Sequence, residues 1–174
     1  MAKMIPNVIS EDSSSGEKKM FERLKELPDN YVVIHSLKML KHINKVEGEI
    51  DFVIVCPYGI LCMEVKGGRV ERKNGIWIFR DRYGNENKKK EGPYEQVSNN
   101  MYSLIEYFKA KTKNSTINTL NIQFGYAVAF PDIEFPRQDI DMEKMITIDV
   151  KDLKNKDMKN IIDNIYKYHI DKYY

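Results

Sequence analysis

Two adjoining stretches of the chain alternate apolar and polar positions with a period of two. In residues 49–55 and 60–66, one side of the alternation is wholly apolar: Ile50, Phe52, Ile54, Leu61, Met63 and Val65. Such alternation predicts two half-buried strands. The intervening Cys56-Pro57-Tyr58-Gly59 supplies turn chemistry, with Pro presetting φ and Gly tolerating positive φ. A four-residue loop makes an antiparallel hairpin in which Val55 faces Ile60, Val53 faces Cys62, Asp51 faces Glu64 and Glu49 faces Lys66. A slip of one residue would reverse every face.

Other elements follow from period and punctuation. Ser14 and Glu17 have capping-box spacing, and Met20, Phe21, Leu24 and Leu27 make the stripe of a helix reaching about Leu27, where Pro28-Asp29-Asn30 stops it. Residues 31–37 read as a strand, with His35 a satisfied sheet residue rather than a ligand, and 38–48 as a polar connection. Ile76-Trp77-Ile78-Phe79 is a short strand in which Trp77 is a packing residue. The charged segment 81–92 reads as a disordered loop. Pro93 suits a first helical turn, and Val97, Met101, Leu104 and Phe108 carry that helix to about Lys109. On its polar stripe, Asn100 and Ser103 read as plain surface. Residues 119–130 predict a buried strand ended by Pro131, 134–138 a loop, 145–150 a last strand, and 155–170 an amphipathic helix. Residues 1–15 read as a flexible lead. This order supports an α/β or α+β class.

The chain has 174 residues, with 42% hydrophobic, 31% charged and 11% aromatic residues, an ordinary composition for one globular domain. No apolar run approaches a membrane span, and the N-terminus lacks a signal-peptide core, so a cytoplasmic location without a membrane partner is the expectation. Two cysteines and three scattered histidines show no zinc spacing. A net charge of +2 says little about partners, but basic residues cluster at Arg69-Val-Glu-Arg72-Lys73, Lys88-Lys89-Lys90 and Lys109–Lys113. Each cluster by itself reads as solvated surface, and together they could line a phosphate-binding surface.

The chemistry centres on the hairpin. Carboxylates directly opposed across an antiparallel pair lie about 5 Å apart at Cβ and repel. A divalent cation such as Mg²⁺ offsets that repulsion, while the alternative is a solvated polar face. Glu17 begins the apolar stripe of the first helix and either caps that helix or reaches the hairpin site. Glu49 is a further carboxylate that could bind metal or pair with Lys66.

The ordered set Gly16-Glu17, Gly48-Glu49-Ile50-Asp51, Pro57-Tyr-Gly59, Glu64-Val65-Lys66-Gly67-Gly68, Trp77 and Pro93-Tyr94-Glu95-Gln96 resembles the nuclease-related (NERD) domain of the PD-(D/E)XK nuclease superfamily. Ile50 stands where the superfamily's name has Pro. The resemblance covers about residues 16–130. It implies a restriction-endonuclease-like mixed β-sheet with a central antiparallel hairpin flanked by helices, in one domain over 16–174 that includes a C-terminal strand and helix at 145–172.

The resemblance also implies a Mg²⁺- or Mn²⁺-dependent nuclease acting on DNA, with RNA left open, in DNA processing or defence against foreign DNA. Asp51, Glu64 and the Val65 carbonyl would bind metal. Glu17, Asp51, Glu64, Lys66 and Gln96 would make the catalytic set, and Arg69, Arg72, Lys88, Lys89 and Lys90 would contact nucleic acid. The rival function is a non-cleaving nucleic-acid-binding module, an appendage of a helicase- or kinase-type protein. A homo-oligomer or a fused or partner helicase is the other association implied.

Overall fold

The computed structural model describes residues 1–39, 48–117, 121–136 and 144–173. Its elements in chain order are β1 (Lys3–Ile5), α1 (Ser15–Leu24), β2 (Val32–Met39), β3 (Gly48–Cys56), β4 (Gly59–Val65), β5 (Arg69–Lys73), β6 (Ile76–Arg80), β7 (Glu86–Lys89), α2 (Pro93–Thr112), β8 (Gln123–Phe130), β9 (Thr147–Asp149), α3 (Val150–Asn155) and α4 (Met158–Tyr173).

The hairpin forms in the expected register, but its loop is two residues rather than four: Cys56 and Gly59 pair as the ends of the strands, leaving only Pro57 and Tyr58 between them. Phe52 pairs with Met63, Val53 with Cys62, Ile54 with Leu61 and Val55 with Ile60. It lies at the centre of a six-stranded sheet of order β1-β2-β3-β4-β8-β9. β2 joins β3 antiparallel, whereas β8 runs parallel to β4 and β9 parallel to β8. The result is a mixed sheet flanked by helices, matching the restriction-endonuclease-like architecture. The apolar face is fully interior: Ile50, Phe52, Ile54, Leu61 and Met63 all have 0% exposure. Each such side chain contributes about 1.5–3 kcal/mol relative to an exposed one. Cys56 and Cys62 are free thiols, both buried in this sheet.

A separate sheet of order β5-β6-β7 stands beside the first. Its third strand corrects the expectation of a disordered loop at 81–92, since Glu86–Lys89 pairs with β6. All four residues are exposed, so no alternation betrays the strand; charge is what an edge strand carries to discourage further pairing. The lead is corrected too, because Lys3–Ile5 pairs parallel with β2.

α1 starts on the predicted Ser14–Glu17 capping box. It ends at Leu24, yet Leu27 remains fully buried. α2 begins with Pro93 in its first turn and runs three residues beyond Lys109. Asn100 is not plain surface, because its side-chain amide donates to the Glu49 carbonyl at 2.9 Å. The expected strand at 145–150 is shorter: a 3-10 turn occupies Lys144–Ile146 and β9 only Thr147–Asp149. Val150 then opens α3, which sequence reading missed. Most of the 38–48 connection, the start of the 119–130 strand and the end of the 134–138 loop lie outside the described residues. Among the described residues no helix is long and apolar enough to cross a membrane.

Candidate active site

Backbone contact brings the parts together. Gly16, at the start of α1, lies so close to Gly67, just beyond β4, that a Cβ built on Gly16 would meet the Gly67 Cα at 2.9 Å. The helix N-terminus is thereby set against the end of the central hairpin. Gly68 has φ +76°, which suits glycine, and its N–H donates to Asp132 Oδ2 at 2.6 Å. Lys19 pairs with the other oxygen of Asp132. Burial works against that carboxylate, but Lys19 and the Gly68 N–H hold it below its ordinary range.

A cleft of about 1440 Å³ opens over this junction, and Glu17, Asp51, Glu64, Val65, Lys66 and Gln96 all line it. The pairing register places Asp51 opposite Glu64, one step past the last paired residues of β3 and β4. Val65 N–H donates to Asp51 Oδ2 at 2.8 Å. Glu64 is only 2% exposed; Lys66 Nζ reaches its Oε1 at 2.6 Å, while its Oε2 is buried without a hydrogen-bond partner. Burial and the Glu64 charge push Asp51 up to about 8, against the lowering effect of the Val65 N–H and Lys66. Burial raises Glu64 as well, offset in part by Lys66.

Glu17 both caps α1 and faces the cleft. Its Oε1 accepts from Ser14 Oγ at 2.8 Å, and its Oε2 lies 2.7 Å from His35 Nε2. The proximity of Glu17 contributes to the upward shifts of Asp51 and Glu64. Sequence reading placed His35 correctly in the sheet but missed this link. The signal available was alternation: Tyr31, Val33 and His35 form the buried side of the strand, where an imidazole needs a partner. Asp132 was missed entirely, and only its place directly after the Pro131 strand stop could have suggested it.

Glu49 does not pair with Lys66; it is exposed and accepts from Ser36 Oγ, while Lys66 takes Glu64. The cationic set divides. Arg69 and Lys89 line the cleft, whereas Arg72, Lys88 and Lys90 do not. Alternation explains this: Arg72 lies three residues from Arg69 and turns its guanidinium to the Trp77 ring at 5.7 Å, and Lys88 and Lys90 lie one residue either side of Lys89.

Among the described residues no three His, Cys, Asp or Glu side chains already form a metal-holding group. Two features nevertheless fit a hard divalent cation: the orphaned Glu64 Oε2, and the adjacent Asp51, whose ionisation is suppressed by burial and by the Glu64 charge. The Val65 carbonyl is the neighbouring backbone oxygen that could join them.

The mixed sheet carries paired carboxylates and a lysine at its central hairpin. The family model for the nuclease-related domain (NERD) matches residues 13–131, and the chain belongs to that family. No curated protein and no solved structure matches the chain.

Proposed function

We propose that this chain is a metal-dependent nuclease that hydrolyses phosphodiester bonds, with DNA as substrate. The observation that carries the reading is the buried Glu64, with one oxygen on Lys66 and the other without a partner, beside an Asp51 that resists ionisation. A buried charged group left unsatisfied costs stability, which a site keeps for chemistry rather than for folding.

Asp51, Glu64 and the Val65 carbonyl would hold Mg²⁺ or Mn²⁺, which when bound neutralises phosphate charge and lowers the pKa of water. Lys66, at the end of a strand fixed by the hairpin, holds its ammonium where negative charge develops on the phosphate. Gln96, on the first turn of α2, presents an amide to the cleft that can donate to a phosphate oxygen. Glu17 acts through its field, keeping the carboxylate pair attractive to cations. Arg69 and Lys89 supply phosphate contacts from the cleft wall.

One observation favours a second reading. Lys66 already serves as the counter-ion of Glu64, so the site is partly self-neutralised, as suits a nucleic-acid-binding module without cleavage. Incubation with linear, nicked and single-stranded DNA in Mg²⁺, Mn²⁺ or EDTA separates the two. The nuclease cuts at least one form only with metal; binding without cutting on every form assigns the binding module.

A further inference from the structure

We infer that the cleft receives an unpaired polynucleotide strand, whose bases stack on Phe79 and Tyr83 along the wall made by β6 and the β6–β7 turn. The inference rests on the nucleic-acid reading above and names the strandedness of the substrate.

The wall is aromatic from the core outwards. Phe130 and Phe135 stack with centroids 4.0 Å apart, Phe135 and Trp77 lie nearly parallel at 6.0 Å, and Trp77 and Phe79 nearly parallel at 6.3 Å. Phe130, Phe135 and Trp77 are buried, while Phe79 is half-buried and lines the cleft. The ammonium of Lys66 lies over one face of the Phe79 ring, 5.7 Å from its centroid, so a base stacked on that face displaces the ammonium and sits at the candidate reaction centre.

At the outer end, Tyr83 is 73% exposed and also lines the cleft. Tyr83 is the most exposed aromatic ring among the described residues, and the turn holds it out. Asp81 Oδ1 accepts from the N–H groups of Tyr83 at 2.8 Å and Asn85 at 2.9 Å, and Gly84 takes φ +83°. Arg82 lies over one face of the Tyr83 ring at 4.8 Å and donates to its hydroxyl at 2.7 Å, and the ring otherwise stands open to solvent. The side-chain amide of Asn85 and the N–H groups of this turn hold the Asp81 carboxyl below its ordinary range, which keeps it an acceptor.

Charge on the wall suits the backbone of such a strand. Among the described residues neither Arg69 nor Lys89 has an ion-pair partner, and both line the same cleft. Arg80, by contrast, is held by Glu71 and Glu86. Flat rings interleaved with uncommitted cations are the chemistry of single-strand binding, and bases inside a duplex have no free face to offer.

The test is equilibrium binding in EDTA, by fluorescence anisotropy, of a labelled single-stranded DNA oligonucleotide, the same sequence as RNA, and the DNA duplex. The wild type should bind at least one single strand about tenfold more tightly than the duplex. Tyr83→Leu should weaken that binding about tenfold and Tyr83→Phe should retain it, since stacking on one ring accounts for a factor of that order. Phe79→Leu should act like Tyr83→Leu; the exposed Tyr83 variants keep the test valid if Phe79→Leu fails to fold. Duplex binding as tight as single-strand binding, or a Tyr83→Leu protein that binds like wild type, overturns this inference alone. Failure to bind any of the three nucleic acids overturns the nucleic-acid reading together with it.

Discussion

His35 Nε2 and Glu17 Oε2 lie 2.7 Å apart, tying the first turn of α1 to β2. His35 is buried, with the Phe21 ring at 6.1 Å and the Phe52 ring at 4.9 Å between centroids. Replacing it with Phe preserves the ring packing and removes only the polar partner of Glu17. The expected loss is about 1–3 kcal/mol of stability, measured by urea unfolding, because a part-buried carboxylate oxygen loses its hydrogen bond. His35→Gln should recover part of it. A His35→Phe protein as stable as wild type would show that the contact does not hold the helix.

Metal should stabilise the fold through Asp51. At a hundredfold excess over its dissociation constant, Mn²⁺ adds about 2.7 kcal/mol by mass action. Melting temperature in Mn²⁺ against EDTA should rise for wild type and stay unchanged for Asp51→Asn. Equal rises in both proteins would place the ion elsewhere.

The pH dependence has a definite sign. Asp51 ordinarily ionises near 3.8 but is pushed up to about 8 in the fold, first by burial and next by Glu64. Between those values the native state binds more protons than the unfolded chain, so stability falls as pH rises. In EDTA the stabilisation should be full below about pH 4 and be lost as pH approaches 8. Asp51→Asn should flatten much of this decline, leaving the smaller part due to the raised Glu64. Metal competes with the same protons, so the Mn²⁺ effect on melting should grow over that range. Stability that climbs from pH 4 to 8 in EDTA would contradict the assignment.

Lys66 and Lys89 should separate chemistry from binding. Lys66→Ala should cut the cleavage rate by about 10²–10³ with little change in DNA affinity. Its removal also leaves both Glu64 oxygens without a partner, so a lower melting temperature should accompany it. Lys89→Ala should do the reverse, weakening binding and lowering the salt dependence by about one unit. Rates and affinities for both variants decide the matter.

Gly16→Ala should be costly despite the better helix propensity of Ala. The new Cβ would meet Gly67 Cα at 2.9 Å and Gly67 N at 3.1 Å, so backbone has to move. A loss of about 1–3 kcal/mol is expected from such overpacking. Because Glu17 is the next residue, cleavage should fall further than the loss of folded protein explains.

Much of this was legible because hairpin register is local. Once the turn is centred between Pro57 and Tyr58, the pairing sum and period two assign Asp51 to Glu64, and a four-residue or a two-residue loop about that centre gives the same register. The capping box and the apolar helix stripe fixed α1 in the same way. What sequence could not supply were contacts between distant segments: Glu17 with His35, Gly16 with Gly67, and Asp132 with Lys19 and Gly68. None of these has a period. β7 escaped because an exposed edge strand carries no apolar signal, and β1 because three residues are too few for one. α3 was readable in principle: Asp149 and Asp152 form a reciprocal capping box, with Asp152 N–H on Asp149 Oδ1 at 3.1 Å. Its spacing is that of Ser14 and Glu17 with shorter acids.

Cys62 lies on β4 between the apolar pairs and Glu64, fully buried, its thiol pushed up to about 12 by desolvation. Its burial should protect it from alkylating agents while the strands stay paired. The chain thus carries its own clock for hairpin opening. Iodoacetamide uptake at Cys62, followed by mass spectrometry, times how often the strands that present Asp51 and Glu64 come apart.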